Sequence, residues 1–402
     1  SRFSPEGSHE PMIDFMKQVT DKPVVGVGRF TSPDTMVSMV KRGVLDLIGG
    51  ARPSIADPFL PAKIAEGREE EIRECIGCNI CISSWHDGVW VRCTQNPTAG
   101  EEFRRGWHPE KVANDSAGTV LIIGGGPAGL EAALTLGRRG FQVSVAEARR
   151  DFGGRLLWET TLPGLRQWFR VVDYRLGQLR RMENVTLYAE SPMTAQDALA
   201  FGADHIIVAT GADWDRALCG PNEIPEGRAK GPGVFTPTDL AAGKMPQGPV
   251  IVHDFDNYYM GSAVSEWLTD KGLTVTHVTT AGNAAAWGFM TNEQPQVHQS
   301  FARRGIGLWT SERVVSFSGD TARLAHMLSG VESEVEAASL VIVGTRAARS
   351  ALAEELRALG AASVHLAGDA HAPGALAHVT YHAHKTAREL DAKPLIRRDF
   401  AV

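Results

Sequence analysis

The chain has 402 residues, 43 % of them hydrophobic, and a formal net charge of −6. That length allows two to three domains, and the interleaved charges without a basic run argue against nucleic acid as a partner. No apolar stretch reaches the length of a membrane span, and five cysteines in so long a chain do not make a disulfide framework.

The first residues, "SRFSPEGSHEP", have no targeting character and lead into an amphipathic stretch, "MIDFMKQVTD". "KPVVGVGRF" reads as a short strand ending at Gly28 and Arg29. "SPDTMVSMVKRG" reads as a helix starting near Ser32 or Pro33, and "VLDLIGGARP" as a second strand ending at Gly50 and Arg52. Strand and helix in alternation, with ligand-type residues after each strand, is the rhythm of a (β/α)8 barrel. Only about two strands of it are present, too few to close. Residues 1–66 are therefore expected to be the C-terminal remnant of a barrel, and the chain a fragment, a cleaved product or one subunit of a split enzyme.

Residues 67–117 carry "ECIGCNICIS" and a polar connector. Cys75, Cys78 and Cys81 stand at two-residue gaps and Cys93 follows after eleven more residues. Structural zinc sites also take four cysteines, but usually as two separated CxxC pairs. Three closely spaced thiolates with a distant fourth read best as ligands of a [4Fe–4S] cluster, with zinc the competing reading. A cluster-forming thiol set implies a reducing compartment, hence a cytoplasmic protein. Cys219 stands alone and reads as a buried small residue.

From Thr119 the character changes. "TVLIIGGGPAGLEAALTLGRRGFQVSVAEA" is strand, glycine turn, helix, strand. Gly124, Gly126 and Gly129, with Ala128 among them, form GxGxxG, and Glu147 ends the second strand. In this context the pattern is a dinucleotide-type fingerprint: a tight turn, close approach to a pyrophosphate, close helix packing, and an acid for the ribose hydroxyls. "ADHIIVATGA" is a further strand, and "ASVHLAGDAHAPGALAHVTYHAHKTAREL" returns to the same unit through Gly368 and Asp369. The tract "HVTYHAHK" resembles a metal site but reads as a helix near the nucleotide. Between them, "PVIVHDFDNYYMGSAVSEWLTDKGLTVTHVTT" repeats strand, turn, helix, strand, with Asp254 and Asp256 in place of the turn's glycines. Two carboxylates there are expected to repel a pyrophosphate. The expected organisation is a first Rossmann-like domain, 118–215 plus 350–402, with a second one, 216–349, inserted and lacking a nucleotide fingerprint. The fold class is thus α/β: the last strands of a (β/α)8 barrel, a [4Fe–4S] segment and two Rossmann-like domains.

The chain resembles the C-terminal part of the trimethylamine dehydrogenase family of iron–sulfur flavoproteins. The motifs that carry this are "GGARPSIADPFLP", "CIGCNICIS", "CTQNPTAGEEFRRGWHPEK", "IIGGGPAGLEAA" and "AGDAHAP". The resemblance implies an amine dehydrogenase: oxidation of a small amine such as trimethylamine, dimethylamine or histamine at FMN in the barrel. Electrons then pass singly through the cluster to an electron-transferring flavoprotein. It implies ADP at the first fingerprint (Gly124, Gly126, Ala128, Gly129, Glu147, Gly368, Asp369) and cluster ligation by Cys75, Cys78, Cys81 and Cys93. It places the FMN phosphate at Gly28, Arg29, Gly50 and Arg52, and makes Trp85 a wall of the substrate pocket, with Asp87 a second cation contact. A homodimer is implied. The family's catalytic residues would precede residue 1, and the position matching its exposed docking aromatic is Arg170, beside Trp168 and Phe169. Two other readings compete. One is an NAD(P)H-dependent enoyl reductase related to 2,4-dienoyl-CoA reductase, which would need a second glycine fingerprint at 254–262. The other is an electron-transfer subunit whose barrel is a separate chain.

Overall fold

The computed structural model describes residues 1–220 and 229–391. The stretches 221–228 and 392–402, parts of the two expected nucleotide-type domains, lie outside the described residues.

Strands β1 (Val25–Gly26) and β2 (Leu47–Ile48) pair in parallel, joined by the helix Pro33–Lys41. Ser32 is extended and Pro33 opens the helix, where its missing N–H costs nothing. Met36 and Met39, three residues apart, turn to one side and pack with Val24, Phe30, Leu45, Leu60 and Ile72. The other side is bare: Val25 is 61 % exposed, Val27 56 % and Leu47 56 %. A strand pair needs cover on both faces in a parallel architecture, and here one apolar face meets water.

The fingerprint region builds a complete sheet. Strands β3 (Thr119–Ile123), β4 (Gln142–Ala146), β5 (Val185–Tyr188) and β6 (His205–Val208) run in parallel in the order β6-β3-β4-β5. Val120 to Ile123 are all buried, the continuous apolar run of a strand covered on both faces. The helix Pro127–Arg139 covers one face, and Ala195, Ala198, Ala353 and Leu356 from two further helices cover the other.

A short antiparallel arm follows, β7 (Ala212–Trp214), and then the second sheet: β8 (Val234–Phe235), β9 (Val250–Asp254), β10 (Val275–Thr279) and β11 (Gly307–Thr310). Three antiparallel strands come next, β12 (Glu312–Phe317), β13 (Thr321–His326) and β14 (Glu332–Glu336). Val314, Ala322 and Leu324 from these strands pack on Ile251, Val278, Leu340 and Ile342. Strand β15 (Ser339–Val343) returns to pair β9, giving the order β11-β10-β9-β15-β8. Strand β16 (Arg346–Ala348) pairs β7, and β17 (Val364–Leu366) closes the first sheet beside β6. The second sheet thus lies, in sequence, between two neighbouring strands of the first. The antiparallel layer β12–β14 was not anticipated. Its strands are short, and one, "ESEVE", carries more charge than apolar surface.

Candidate functional site: thiols, arginines and a glycine turn

The four clustered cysteines are all unpaired as disulfides and half-buried. Cys75 and Cys78 precede a turn that Asn79 enters with φ +58°, and Cys81 lies in the helix Ile80–His86. The thiols lie close enough to act on one another electrostatically. Burial pushes Cys78 up to about 12 and also raises Cys81 and Cys93, with Cys75 adding to each. Backbone N–H groups oppose this: Ile80 toward Cys78, Ile82 toward Cys81, Gln95 and Asn96 toward Cys93. The Gly77 N–H donates to Cys75 Sγ at 3.4 Å, and Cys78 Sγ meets Thr94 Oγ1 at 3.2 Å. Such donors stabilise the anionic sulfurs of a cluster. Among the described residues no three His, Cys, Asp or Glu side chains gather as ligands of one metal ion.

Two arginines face this segment. Arg29 and Arg52 follow the C-terminal ends of β1 and β2, where a barrel binds phosphate. The Arg29 guanidinium donates to the Ser4 carbonyl and to Gln167 Oε1, and it lies where a side chain on Gly77 would otherwise stand. Burial lowers its pKa, and the Cys75 charge opposes that. Arg52 Nη1 donates to Asn79 Oδ1 at 2.6 Å, and its charge acts on Cys81. Asn79 is also tied to Thr291 O at 2.8 Å. Gly28 and Gly50 flank these arginines as expected from the sequence.

At the fingerprint, Gly124 has φ +113°, and a side chain there would reach Ala209 O at 2.5 Å. A methyl on Gly129 would land on the Gly124 carbonyl oxygen, so helix and turn touch backbone to backbone. Gly126 caps the helix Pro127–Arg139 and faces Gly154. Glu147 accepts from Gly125 N at 2.7 Å and from Arg149 N at 3.0 Å. Its carboxylate thus braces the turn. Gly368 packs on Ala128, and Asp369 accepts from Gly374 N at 2.9 Å.

The second turn requires a correction. Asp254 is fully buried at the end of β9, and a side chain on Gly261 would collide with its carboxyl group. Burial pushes its pKa up to about 8 and that of Asp256 up to about 6. Asp254 accepts from Asn257 N at 3.0 Å, and its other oxygen stands 3.6 Å from His277 Nε2. Burial holds His277 near 3, and its Nδ1 lies 2.9 Å from Ser265 Oγ. Burial thus weakens the expected like-charge repulsion at Asp254 by favouring its neutral form, and the side chain fills the space against the helix Met260–Asp270.

Trp85 is 72 % exposed and Asp87 is exposed beside it. Trp168 is buried, 4.8 Å from the Tyr259 ring. Arg170 knits the cluster segment together: to Glu6 at 3.0 Å, Glu74 at 2.6 Å, Thr31 Oγ1 at 3.0 Å and Cys75 O at 3.3 Å. The "HVTYHAHK" tract lies on the helix Leu376–Arg388, and Cys219 is buried.

Sequence reasoning missed the buried ion pairs beneath the site. Arg175, fully buried, meets Glu131 at 2.6 Å and Gln95 Oε1 at 2.9 Å, while His384 meets Glu131 at 2.8 Å. Burial alone would raise Glu131; Arg175 and His384 outweigh it and hold the carboxyl near 2. It also missed Arg155 and Arg346, both on Asp369. A polar residue inside the apolar pattern of the helix Pro127–Arg139 was the one available signal for Glu131.

The chain was compared with known proteins. The model of the NADH:flavin oxidoreductase / NADH oxidase family matches residues 2–71, and that of the pyridine nucleotide-disulphide oxidoreductases matches 118–364. Dimethylamine dehydrogenase of Hyphomicrobium sp. (strain x) is 38 % identical over 98 % of this chain and 58 % of its own length. The structure of histamine dehydrogenase from Rhizobium sp. 4-9 superposes with a TM-score of 0.94 at 42 % identity, covering 99 % of this chain and 60 % of that one. The structure of 6-hydroxypseudooxynicotine amine oxidase from Pseudomonas geniculata N1 gives 0.93 at 47 % identity, covering 97 % and 60 %. The chain thus spans about 60 % of the length of these relatives.

Proposed function

Because this chain belongs to the pyridine nucleotide-disulphide oxidoreductase family and, over its whole length, to the trimethylamine dehydrogenase family, we propose that it is the cluster- and nucleotide-binding portion of a small-amine dehydrogenase. The observation that carries this reading is the joining of two sites. The arginines at the ends of β1 and β2 reach Gly77 and Asn79, inside the run of cluster thiols. A group held by its phosphate at Arg29 and Arg52 would therefore lie beside Cys75, Cys78, Cys81 and Cys93. When bound, FMN would supply the two-electron oxidation of the amine and a cluster on these thiols would carry single electrons onward. A side chain on Gly28 would press on Phe30 and His9, and one on Gly50 on Pro53; backbone N–H groups offset charge on the thiolates. Trp85 and Asp87 stand exposed on the segment that follows, available to a substituted ammonium ion.

Electrons would leave to an electron-transferring flavoprotein. The cleft of about 600 Å³ lined by Thr160, Arg166, Gln167, Phe169, Arg170 and Asp173 is the candidate surface, since Arg170 contacts the cluster segment at the Cys75 carbonyl and Gln167 meets Arg29. ADP would occupy the glycine turn of the first sheet. The organisation follows as barrel remnant (1–66), cluster segment (67–117), ADP-binding domain (118–215 plus 350–402) and inserted domain (216–349), in a cytoplasmic homodimer.

Metal analysis of anaerobically prepared protein tests the reading. Iron and acid-labile sulfide should each approach about four per chain, falling to near zero in Cys93→Ala and unchanged in Cys219→Ala. Stoichiometric zinc without iron would contradict it.

A further inference from the structure

Three helices and the polar connector meet around a cavity of about 480 Å³ that has no part in the proposed amine chemistry. Lys63 comes from the helix Leu60–Ala65, Arg138 from the last turn of Pro127–Arg139 and Tyr174 from Arg170–Leu179. Glu110 and Lys111 belong to the connector, and Glu71 completes the charged lining. Both carboxylates are already matched by cations. Glu110 pairs with Lys63, whose Nζ also lies 2.7 Å from Asp57, and Glu71 pairs with Arg68 at 2.6 Å.

The other cations are not matched. Arg73 is buried and donates to Tyr174 Oη at 3.2 Å and to Pro109 O at 2.6 Å, and Arg138 donates to the same Tyr174 Oη at 3.4 Å. Among the described residues neither arginine, nor Lys111, forms an ion pair with a carboxylate, although buried charges are ordinarily paired. The Tyr174 hydroxyl accepts from two guanidiniums, and its own proton has no acceptor among the described residues. Burial would raise this phenol; Arg73, Arg138 and Lys63 outweigh it and hold the group below the ordinary tyrosine range, as a positive local field requires. Three unmatched cations suit a dianion, and the fork of an arginine suits phosphate oxygens. The volume is that of a small-molecule site. We infer that this cavity binds a phosphate group, free or carried on a small monoester, through Arg138, Lys111 and the Tyr174 hydroxyl, with Arg73 supplying charge behind Tyr174.

Calorimetric titration of the full-length holoprotein tests it, in a buffer free of oxyanions and with inorganic phosphate, glycerol phosphate and acetate as the three probes. Phosphate or its ester should bind saturably at a single site, and acetate about tenfold more weakly or worse. The tighter of the two phosphate probes tells the free anion from the monoester. Arg138→Met and Lys111→Met should each weaken that binding about tenfold or more, and Arg138→Lys by less than Arg138→Met. Cofactor content, assayed on the same samples, should not change. Lys111 is exposed, so Lys111→Met decides alone if Arg138→Met fails to fold. No saturable binding of either phosphate probe to the wild type, acetate binding as tightly, or an unchanged affinity in Lys111→Met or in folded Arg138→Met would each overturn the assignment.

Discussion

The two nucleotide-type units share a plan and differ at one turn. In the first, β3 leads through Gly124 to the helix Pro127–Arg139; in the second, β9 leads through Asp254 to the helix Met260–Asp270. Both helices carry a glycine near their start, at Gly129 and Gly261, and at both a side chain would collide with the preceding turn. What each glycine meets is different. Gly129 meets the backbone carbonyl of Gly124, so the turn is pressed flat and its N–H groups stay available to an anion. Gly261 meets the carboxyl group of Asp254, so the protein's own side chain fills the corresponding space. The same close approach leaves the turn open in one unit and is filled by a side chain in the other.

Adding a methyl group to each glycine breaks this comparison most sharply. In Gly129→Ala the new Cβ confronts backbone, which cannot step aside. The expected cost is about 3 kcal/mol of stability, together with loss of bound nucleotide. In Gly261→Ala the new Cβ confronts a side chain, with an expected cost of about 1–2 kcal/mol and nucleotide content unchanged. Denaturant melts with nucleotide assay of the same samples check both, and equal nucleotide loss in the two variants would erase the distinction.

A smaller effect sharpens the second turn. Asp254 has a pKa near 3.8 unfolded and about 8 folded, so between those values the folded state retains a proton that the unfolded state releases. The stability contribution of this acid is fully present below about pH 4 and is lost as pH rises through 8. Asp254→Asn removes the titration while keeping the shape. Its stability relative to wild type should rise by about 1–3 kcal/mol between pH 5 and pH 8. A constant difference across that range would mean that Asp254 is ionised in the folded protein.

The same contrast marks how far the sequence could be read. The first turn was legible because its three glycines, the strand before them and Glu147 after them are local in the chain, and each answers a steric need that only glycine meets. The second turn was half-read: the missing glycines were plain, but burial of Asp254 depends on Gly261, His277 and a neighbouring helix, so its charge was overcounted. Arg155 gave little signal: Glu159, four residues on, is local, but Tyr259 and Asp369 come from distant parts of the chain. Residues 1–66 hold two strands, too few to close a barrel, and Val25, Val27 and Leu47 stand exposed.

The central proposal is that reducing equivalents enter from an amine and not through the second unit, whose turn is filled by Asp254. Anaerobic mixing of the oxidised full-length protein with NADPH, and separately with a secondary or tertiary amine, tests it directly while the flavin absorbance is followed. The account predicts that the amine bleaches the flavin and that NADPH leaves it unchanged; rapid bleaching by NADPH would contradict it.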